Sequence, residues 1–398
     1  MSAYLDHAAT TPLRESARAA WVEQSQRGGN PSSLHTSGRA ARAVVEESRE
    51  EIAGALGARP SEVVFTSGGT EADNLAVKGT YAARLASVGA SRLVVGGTEH
   101  HAVLDPVEHL VTSQGADVTW LEPDRCGHIS VDDLRAALAP PVGDSEAAEA
   151  AVVSVMWANN EVGTVQPVAE LAAVAREAGV PFHTDAVQAV GQLPVDFAAS
   201  GADLMTVSAH KVGGPVGVGA LLARRDAQLV PLAHGGGQER QVRSGTLDAA
   251  GIRAFAVALL EAVAERDVEA KRLAVLRDAL VVGALGLDLG ISVSGCWTAG
   301  DVQSRLPGNA HLLVPGCEGD SLLYLLDAAG VECSTGSACQ AGVPQPSHVL
   351  LAMGYAESEA RGALRLSLGH TSTDADVDAF LAALPGVVER ARRASGAA

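Results

Sequence analysis

Short apolar runs alternate with amphipathic segments through the first two thirds of the chain. Segments with helical periodicity, such as 70–86 and 168–178, lie between most of the apolar runs, and another at 39–56 precedes the first. This order predicts an α/β fold in which helices cover both faces of a mainly parallel sheet. Seven runs predict its buried strands, at 62–66, 92–96, 118–121, 151–156, 181–184, 204–208 and 218–223.

The pattern changes after about residue 255. A long charged helix is predicted at roughly 251–281, and short strands and helices follow it to the C-terminus. We therefore predict a large domain at residues 15–255 and a smaller α+β domain formed by residues 1–14 together with 256–398. A Pro- and Ala/Glu-rich stretch at 140–150 predicts a surface connection.

Composition narrows the class of protein. The chain has 398 residues, 47% of them hydrophobic and 19% charged, which is typical of a globular protein. A formal net charge of −18 disfavours direct binding to nucleic acid or to an anionic membrane. The N-terminus lacks a secretory signal pattern, and no run approaches about 18 mainly apolar residues. A cytoplasmic location is therefore expected.

The five cysteines are scattered, and none of their spacings suggests a disulfide framework or a zinc site. We expect free thiols and no bound metal. Cys126, Cys296, Cys317 and Cys333 are interpreted as structural. Cys339 differs because small polar residues surround it in the segment 333–342, which predicts an exposed, mobile loop suited to a nucleophilic thiol.

Two polar motifs follow predicted strands. One contains Asp185 and Gln188, and the other contains Ser208, His210 and Lys211. Because ligands bind beyond the carboxyl ends of parallel strands, these side chains should converge. Pyridoxal phosphate requires such a set: a lysine bonds its aldehyde, and a carboxylate pairs with the pyridinium nitrogen. The alternatives are a solvated lysine and a helix-capping aspartate.

A possible phosphate site lies where a predicted strand joins a helix at Gly69 and Thr70. Glycine permits a close backbone approach, and the helix N-terminus offers unpaired N–H groups. Ser208 and His210 could add side-chain hydrogen bonds, and Thr246 could do so from a neighbouring subunit. The alternative is an ordinary strand–helix turn.

Three further residues have two interpretations each. His100 is either a capped or solvent-facing ring, or it stacks on the cofactor ring and helps to move protons. Asn160 either forms a turn or bonds the cofactor ring oxygen or the substrate. Arg365, in an apolar strand, either forms an internal ion pair or binds a substrate α-carboxylate in bidentate fashion.

Together these residues resemble the pyridoxal-phosphate-dependent cysteine desulfurases of the NifS/IscS type, in the class V aminotransferase group of fold type I. Any one motif is weak, but their order along the whole chain is specific. The Cys339 segment is similar to the group with a longer catalytic loop and a Ser-Ala-Cys core. The matching segments are 4–12, 29–33, 66–74, 98–100, 159–161, 208–211, 235–239, 243–246, the Cys339 loop and 365–369.

The resemblance implies a fold type I transferase whose smaller domain carries the catalytic cysteine loop at about 332–345. It implies that Lys211 links the cofactor and acts as general base, that His100 stacks on the ring, and that Cys339 is the nucleophile. Arg365 and Asn160 are implied to bind the substrate. The implied cofactor-binding residues are Gly69, Thr70, His100, Asn160, Asp185, Gln188, Ser208, His210, Lys211 and Thr246.

The implied reaction converts L-cysteine to L-alanine and leaves the sulfur as a persulfide on Cys339. A homodimer would pass this sulfur to an acceptor, either an iron–sulfur scaffold or a tRNA-thiolation protein. The alternatives are a selenocysteine lyase or another class V enzyme such as an aminotransferase. An alternative of another kind is a non-catalytic sulfur-assembly scaffold.

Overall fold

The computed structural model describes residues 2–139, 148–336 and 346–395. Short 3-10 helices lie at Pro60–Glu62 and Ala209–Lys211. The strands are β1 (Ala3–Tyr4), β2 (Val63–Thr66), β3 (Arg92–Gly96), β4 (Asp117–Leu121), β5 (Ala150–Ser154), β6 (Phe182–Asp185), β7 (Leu204–Ser208), β8 (Gly219–Ala223), β9 (Ser292–Val293), β10 (Asn309–Leu313), β11 (Val331–Glu332) and β12 (Ala363–Ser367). The α-helices are α1 (Glu15–Ser25), α2 (Thr36–Ala55), α3 (Gly69–Val88), α4 (His101–Gln114), α5 (Val131–Leu138), α6 (Val168–Glu177), α7 (Phe197–Ser200), α8 (Ala249–Leu285), α9 (Gly319–Ala328), α10 (His348–Ala352), α11 (Glu357–Ala360) and α12 (Asp374–Ser395).

The central sheet has seven strands in the order β2-β8-β7-β6-β5-β3-β4. The strands from β7 to β4 pair in parallel, whereas β8 is antiparallel to both of its neighbours. Every residue of β5, β6, β7 and β8 is buried, as expected for a sheet covered on both faces. The seven predicted strands and the mainly parallel sheet are therefore confirmed.

The second region contains a three-stranded antiparallel sheet, β12-β10-β9, and a parallel pair of β1 with β11. Helix α8 joins the two regions. Its residues from Ile252 to Ala262 lie in the core of the large sheet, and those from Leu273 to Ala284 lie in the core around β10 and β12. Helix α8 thus contributes side chains to both hydrophobic cores. The predicted domain boundary at residue 255 stays a prediction.

Two of the cysteines contradict the expectation of free thiols. Cys126 and Cys296 form a disulfide across 170 residues of sequence. Spacing could not reveal this pair, because the two residues lie in turns that only the folded chain brings together. Cys317 and Cys333 are free and buried. Among the described residues, no helix is long and apolar enough to cross a bilayer.

Candidate active site

A cavity of about 410 Å³ lies at the carboxyl ends of β5, β6 and β7, beside the N-terminus of α3. It contains most of the site residues predicted from the sequence. Thr246 is exposed and does not line this cavity, and Cys339 lies outside the described residues. The predicted residues that line it are Gly69, Thr70, His100, Asn160, Asp185, Gln188, Ser208, His210, Lys211 and Arg365.

Lys211 ends the short 3-10 turn that follows β7. Its Nζ donates hydrogen bonds to the carbonyl oxygens of Ala8 at 2.5 Å and Ala9 at 2.8 Å. Burial, and then the charge of Arg365, lower the pKa of Lys211 to about 8, although Asp185 opposes the shift. A neutral amine is the nucleophilic form of lysine, so this environment favours bond formation with a carbonyl compound.

Two buried carboxylates line the same cavity as Lys211. Asp185 ends β6, and its Oδ1 accepts a hydrogen bond from the Val187 N–H at 2.8 Å. Asp73 lies one turn into α3 and lines the same cavity. Burial raises the pKa of each carboxyl group to about 7, and the Asp73 charge adds to the shift at Asp185. The two groups therefore have little tendency to be charged together unless a cation joins them.

His183 belongs to β6 and lies next to Asp73 with its ring fully buried. Its Nε2 lies 3.5 Å from Asp73 Oδ1 and 3.1 Å from Thr206 Oγ1, and its Nδ1 lies 2.9 Å from Ser154 Oγ. Burial lowers the pKa of His183 to about 4, so the ring is uncharged at neutral pH. His183 therefore adds no positive charge beside Asp73.

Replacing Asp73 by asparagine should weaken the pH dependence of stability in the cofactor-free protein. The pKa of Asp73 is about 7 in the folded state against 3.8 for an exposed carboxyl, so folding retains a proton that unfolding releases. The free energy of unfolding therefore falls as the pH rises from about 4 to about 7. Asp73→Asn should remove up to about 1.4 kcal/mol per pH unit of this slope. Thermal denaturation at pH 5, 6 and 7 measures it, with Asp378→Asn as an exposed control, and an unchanged slope would contradict the prediction.

The phosphate-site candidates gather at the start of α3. Gly68 is the N-cap of this helix and has a φ of 149°, a conformation that favours glycine. Gly69 and Thr70 follow it as the first two residues of the helix. Ser208 Oγ is buried and has no hydrogen-bond partner among the described residues. His210 Nδ1 lies 3.2 Å from Thr10 Oγ1. A helix N-terminus with an unpaired hydroxyl beside it suits an anion.

His100 lies at the start of α4 and on the cavity wall, and its stacking on a cofactor ring stays a prediction. Its Nδ1 accepts a hydrogen bond from the Ala102 N–H at 3.1 Å, so it caps α4, and its ring also lines the cavity. Burial, and then the charge of Lys211, lower its pKa to about 4. The ring is therefore neutral at physiological pH, when it can lie beside an aromatic cofactor without an added charge.

Arg365 has an internal ion pair as well as a position on the cavity wall. Nη2 of Arg365 donates a hydrogen bond to Oδ1 of Asp6 at 2.8 Å, and Nη1 of Arg365 donates to the carbonyl oxygen of Asn160 at 3.1 Å. Its Nε is buried and has no partner among the described residues. The arginine is thus held in place while part of its guanidinium stays available to an anionic ligand. Gln188 is similarly fixed, since its Nε2 donates to the Ala8 carbonyl oxygen.

Residues on both sides of the Cys339 segment are tied to this cavity. Ser334 and Arg365 exchange backbone hydrogen bonds of 3.2 and 2.7 Å, and Ser334 and Gly336 line the cavity. On the other side, Ser347 Oγ donates to Glu161 Oε2 at 2.5 Å. The residues before the segment thus line the cavity, and Ser347 after it contacts the residue that follows cavity-lining Asn160.

The donor set of the cavity fits pyridoxal phosphate. A half-buried lysine and a buried carboxylate line one cavity, which matches the aldehyde and the pyridinium nitrogen. The unpaired Ser208 hydroxyl and the α3 N-terminus lie where a phosphate would be received.

Sequence reasoning missed three carboxylates of this region. Asp73 follows Thr70 by nearly one helical turn, a spacing that could have placed it on the same face. Glu99 precedes His100, and burial raises its pKa well above the ordinary value. Asp6 pairs with Arg365 across 359 residues, and nothing local in the sequence marks that contact.

Comparisons with known proteins identify the family of this chain. The aminotransferase class-V family model matches residues 3–380. An IscS-like cysteine desulfurase of Mycobacterium tuberculosis is 58% identical over 397 residues, which cover 100% of this chain and 98% of the relative. A solved NifS-like protein is 32% identical, with a TM-score of 0.85 and coverage of 98% and 99% of the two chains. The solved structure of SspA in complex with cysteine is 34% identical, with a TM-score of 0.78 and coverage of 94% and 100%.

These matches extend over nearly the whole chain, and the solved structures share its α/β architecture. They confirm the resemblance inferred from the motifs and the assignment to fold type I. The chain belongs to the class V aminotransferase family and, within it, to the cysteine desulfurases of the IscS/NifS type.

Proposed function

We propose that this protein is a pyridoxal-phosphate-dependent cysteine desulfurase that converts L-cysteine to L-alanine and holds the released sulfur as a persulfide on Cys339. The observation that carries the proposal is the convergence of Lys211 and Asp185 in one cavity whose wall also holds Arg365. A reactive amine, a carboxylate for the ring nitrogen and a cation for the substrate carboxylate are the groups this reaction needs.

Lys211, Asp185 and the residues around the start of α3 would hold the cofactor. When bound, pyridoxal phosphate supplies an electron sink that weakens bonds at the amino acid Cα. Asp185 would keep the ring nitrogen protonated, since a cation next to this buried carboxylate offsets the cost of its burial. Ser208, His210 and Thr70 would receive the phosphate, and Gln188 and Asn160 the ring oxygen.

Lys211 would also move the substrate protons. A pKa of about 8 allows its amine to take a proton from the substrate Cα and to return it, because acid and base forms are both accessible near neutral pH. His100, neutral and at the cavity wall, would stack on the ring and assist this transfer. The backbone carbonyl groups of Ala8 and Ala9 hold the amine in position before substrate binds.

Arg365 would bind the α-carboxylate of L-cysteine, and Cys339 would take its sulfur. The pairing with Asp6 orients the guanidinium, and its unpaired Nε faces a buried environment in which a carboxylate would satisfy it. The Cys339 thiolate would attack the substrate sulfur, so that the S–S bond of the persulfide forms as the substrate Cβ–S bond breaks.

We further propose a homodimer in which Thr246 of each chain reaches the phosphate of its neighbour. The support is its exposure at one surface and its absence from the cavity of its own chain. The persulfide sulfur would pass to an acceptor protein such as an iron–sulfur scaffold or a tRNA-thiolation protein.

Incubation with pyridoxal phosphate, L-cysteine and a thiol reductant tests the reaction. We expect equal amounts of alanine and sulfide, and the mass of one added sulfur atom on the Cys339 peptide when the reductant is omitted. L-selenocysteine assayed in parallel separates a selenocysteine lyase, which would strongly prefer it. Amino transfer to a keto acid without alanine formation would contradict the proposal in favour of an aminotransferase. A preparation that stays colourless after cofactor addition would instead favour a non-catalytic scaffold.

A further inference from the structure

The disulfide between Cys126 and Cys296 joins the two structural regions at the surface. Cys126 lies in the turn between β4 and α5, and Cys296 lies just after β9. Their Cα atoms are 4.8 Å apart, within the range that a disulfide spans. Cys126 is half-buried and Cys296 is exposed. The bond therefore links the edge of the large sheet to the smaller sheet where small molecules can reach it.

The turn that carries Cys126 is fixed without the disulfide. Asp124 Oδ1 accepts hydrogen bonds from the backbone N–H groups of Cys126 at 2.8 Å and His128 at 2.9 Å. The Cys126 carbonyl oxygen accepts a hydrogen bond from Thr164 Oγ1 at 2.5 Å. Breaking the S–S bond would leave these contacts in place, so the sulfur of Cys126 would keep its position.

The turn that carries Cys296 is held in the same way from the other side. The Gly295 N–H donates to the Tyr355 hydroxyl at 2.9 Å, and buried Arg305 donates to the Cys296 carbonyl oxygen at 3.4 Å. The guanidinium of Arg125 lies 4.6 Å from the Tyr355 ring centre, so Tyr355 contacts both turns. Two thiols held facing each other can close and reopen a disulfide without rearrangement of the chain.

The other described cysteines are unsuited to such chemistry. Cys317 and Cys333 are buried and free. Burial raises the pKa of both thiols, that of Cys333 to about 12, and this disfavours the thiolate that disulfide exchange requires. Among the described cysteines, only Cys126 and Cys296 are both accessible to solvent and close enough to each other to form a disulfide.

The disulfide lies against a segment that leads to the active site. Met353 directly follows α10, and its side chain lies close to the glycines next to the two cysteines. A Cβ atom placed on Gly127 would be 3.5 Å from Met353 Cε, and one placed on Gly295 would be 3.7 Å from it. At the other end of α10, His348 Nε2 lies 2.9 Å from the carbonyl oxygen of Glu99, next to cavity-lining His100. Helix α10 therefore connects the disulfide with the rim of the cavity.

We propose that Cys126 and Cys296 are a reversible thiol-oxidation site. Their cross-link restricts the motion of α10, which packs between the two regions. A low-molecular-weight disulfide is the oxidant. One cysteine thiolate attacks it and forms a mixed disulfide, and the second thiolate displaces the remaining thiol. The protein loses two protons and two electrons as its S–S bond forms, and the small disulfide becomes two thiols. The site lies outside the cavity, so it does not depend on the proposed desulfurase reaction.

Controlled oxidation of the holoenzyme by oxidised glutathione, followed by reduction with dithiothreitol, tests this proposal. We expect Cys126 and Cys296 to stop reacting with a maleimide after oxidation, and peptide mapping should find Cys126 joined to Cys296. Reduction should lower the apparent unfolding temperature by roughly 5–10 °C, because a cross-link over so long a loop restricts the unfolded chain. Amide hydrogen exchange in residues 348–355 should rise several-fold on reduction, while that of β6 and β7 should stay unchanged.

The Cys126→Ser/Cys296→Ser double variant is the matched control. Its unfolding temperature and its hydrogen exchange should match the reduced wild type and should not respond to glutathione. Equal unfolding temperatures for oxidised and reduced wild type would overturn the proposal. Binding of zinc by the reduced wild type would also overturn the proposal, if one equivalent were retained there and lost in the double variant. The two cysteines would then be metal ligands, because Asp124 and His128 lie beside Cys126 and could complete the site.

Discussion

Cys339→Ala is expected to bind the cofactor as the wild type does and to lose alanine formation from L-cysteine by roughly three orders of magnitude or more. The residues proposed to hold the cofactor, which all line the cavity apart from Thr246, are unchanged by this substitution. Without the thiol, the proposed acceptor of the substrate sulfur is missing, whereas Lys211, the proposed general base, can still remove and return the Cα proton. Solvent deuterium should therefore still enter the Cα position of cysteine at a rate within a few-fold of the wild type.

Two variants make this test specific. Cys317→Ala removes a buried thiol from outside the cavity and should leave alanine formation intact. Cys339→Ser keeps the size of the side chain and should be as inactive as Cys339→Ala, because a hydroxyl cannot accept the sulfur. Sustained alanine formation by Cys339→Ala would remove this residue from the proposed reaction, although a role of the cavity in cofactor binding would stand.

Lys211→Ala should abolish the covalent link to the cofactor and the visible absorption band that the link produces. The chain has only three lysines, at positions 78, 211 and 271, so the attachment point can be found directly. Borohydride treatment of the wild-type holoenzyme should place the mass of the reduced cofactor on the peptide that contains Lys211. Deuterium exchange at the substrate Cα should fall by roughly 10²–10⁴-fold in the variant, because the proposed general base is lost.

Lys271→Ala provides the matched control, since this lysine lies exposed on α8. It should keep the absorption band and the activity. An unchanged band in Lys211→Ala, or cofactor mass found on Lys78 or Lys271, would contradict the assignment. Loss of the band together with a collapsed fold would be recognised by circular dichroism, and Lys211→Arg, which retains the charge, then serves as the second variant.

The central sheet was predictable because its signals are local. Strands such as β3 and β7 are short apolar runs bounded by turns, and the predicted bounds of all seven strands lie within two residues of those observed. Lys211 and Asp185 could be placed at one edge because the carboxyl ends of parallel strands meet there. The order of the motifs then pointed to the family, which the comparisons confirmed.

Contacts between distant parts of the chain could not be predicted. The pairing of Asp6 with Arg365, the approach of Asp73 to His183 and the disulfide of Cys126 with Cys296 all depend on how separate elements pack. A charged residue or a cysteine carries no local sign of its partner, since the contact forms only when two distant turns or strands adopt their register.

The sequence by itself thus determined the fold class, the edge of the sheet that carries the site and the chemical types gathered there, because hydrophobic periodicity and strand ends are properties of short segments. Only the tertiary structure decided which charges are paired, which carboxyl groups and amines have shifted pKa values, and which thiols meet. Those properties follow from burial and from distances between residues far apart in the chain, and neither exists before the chain has folded.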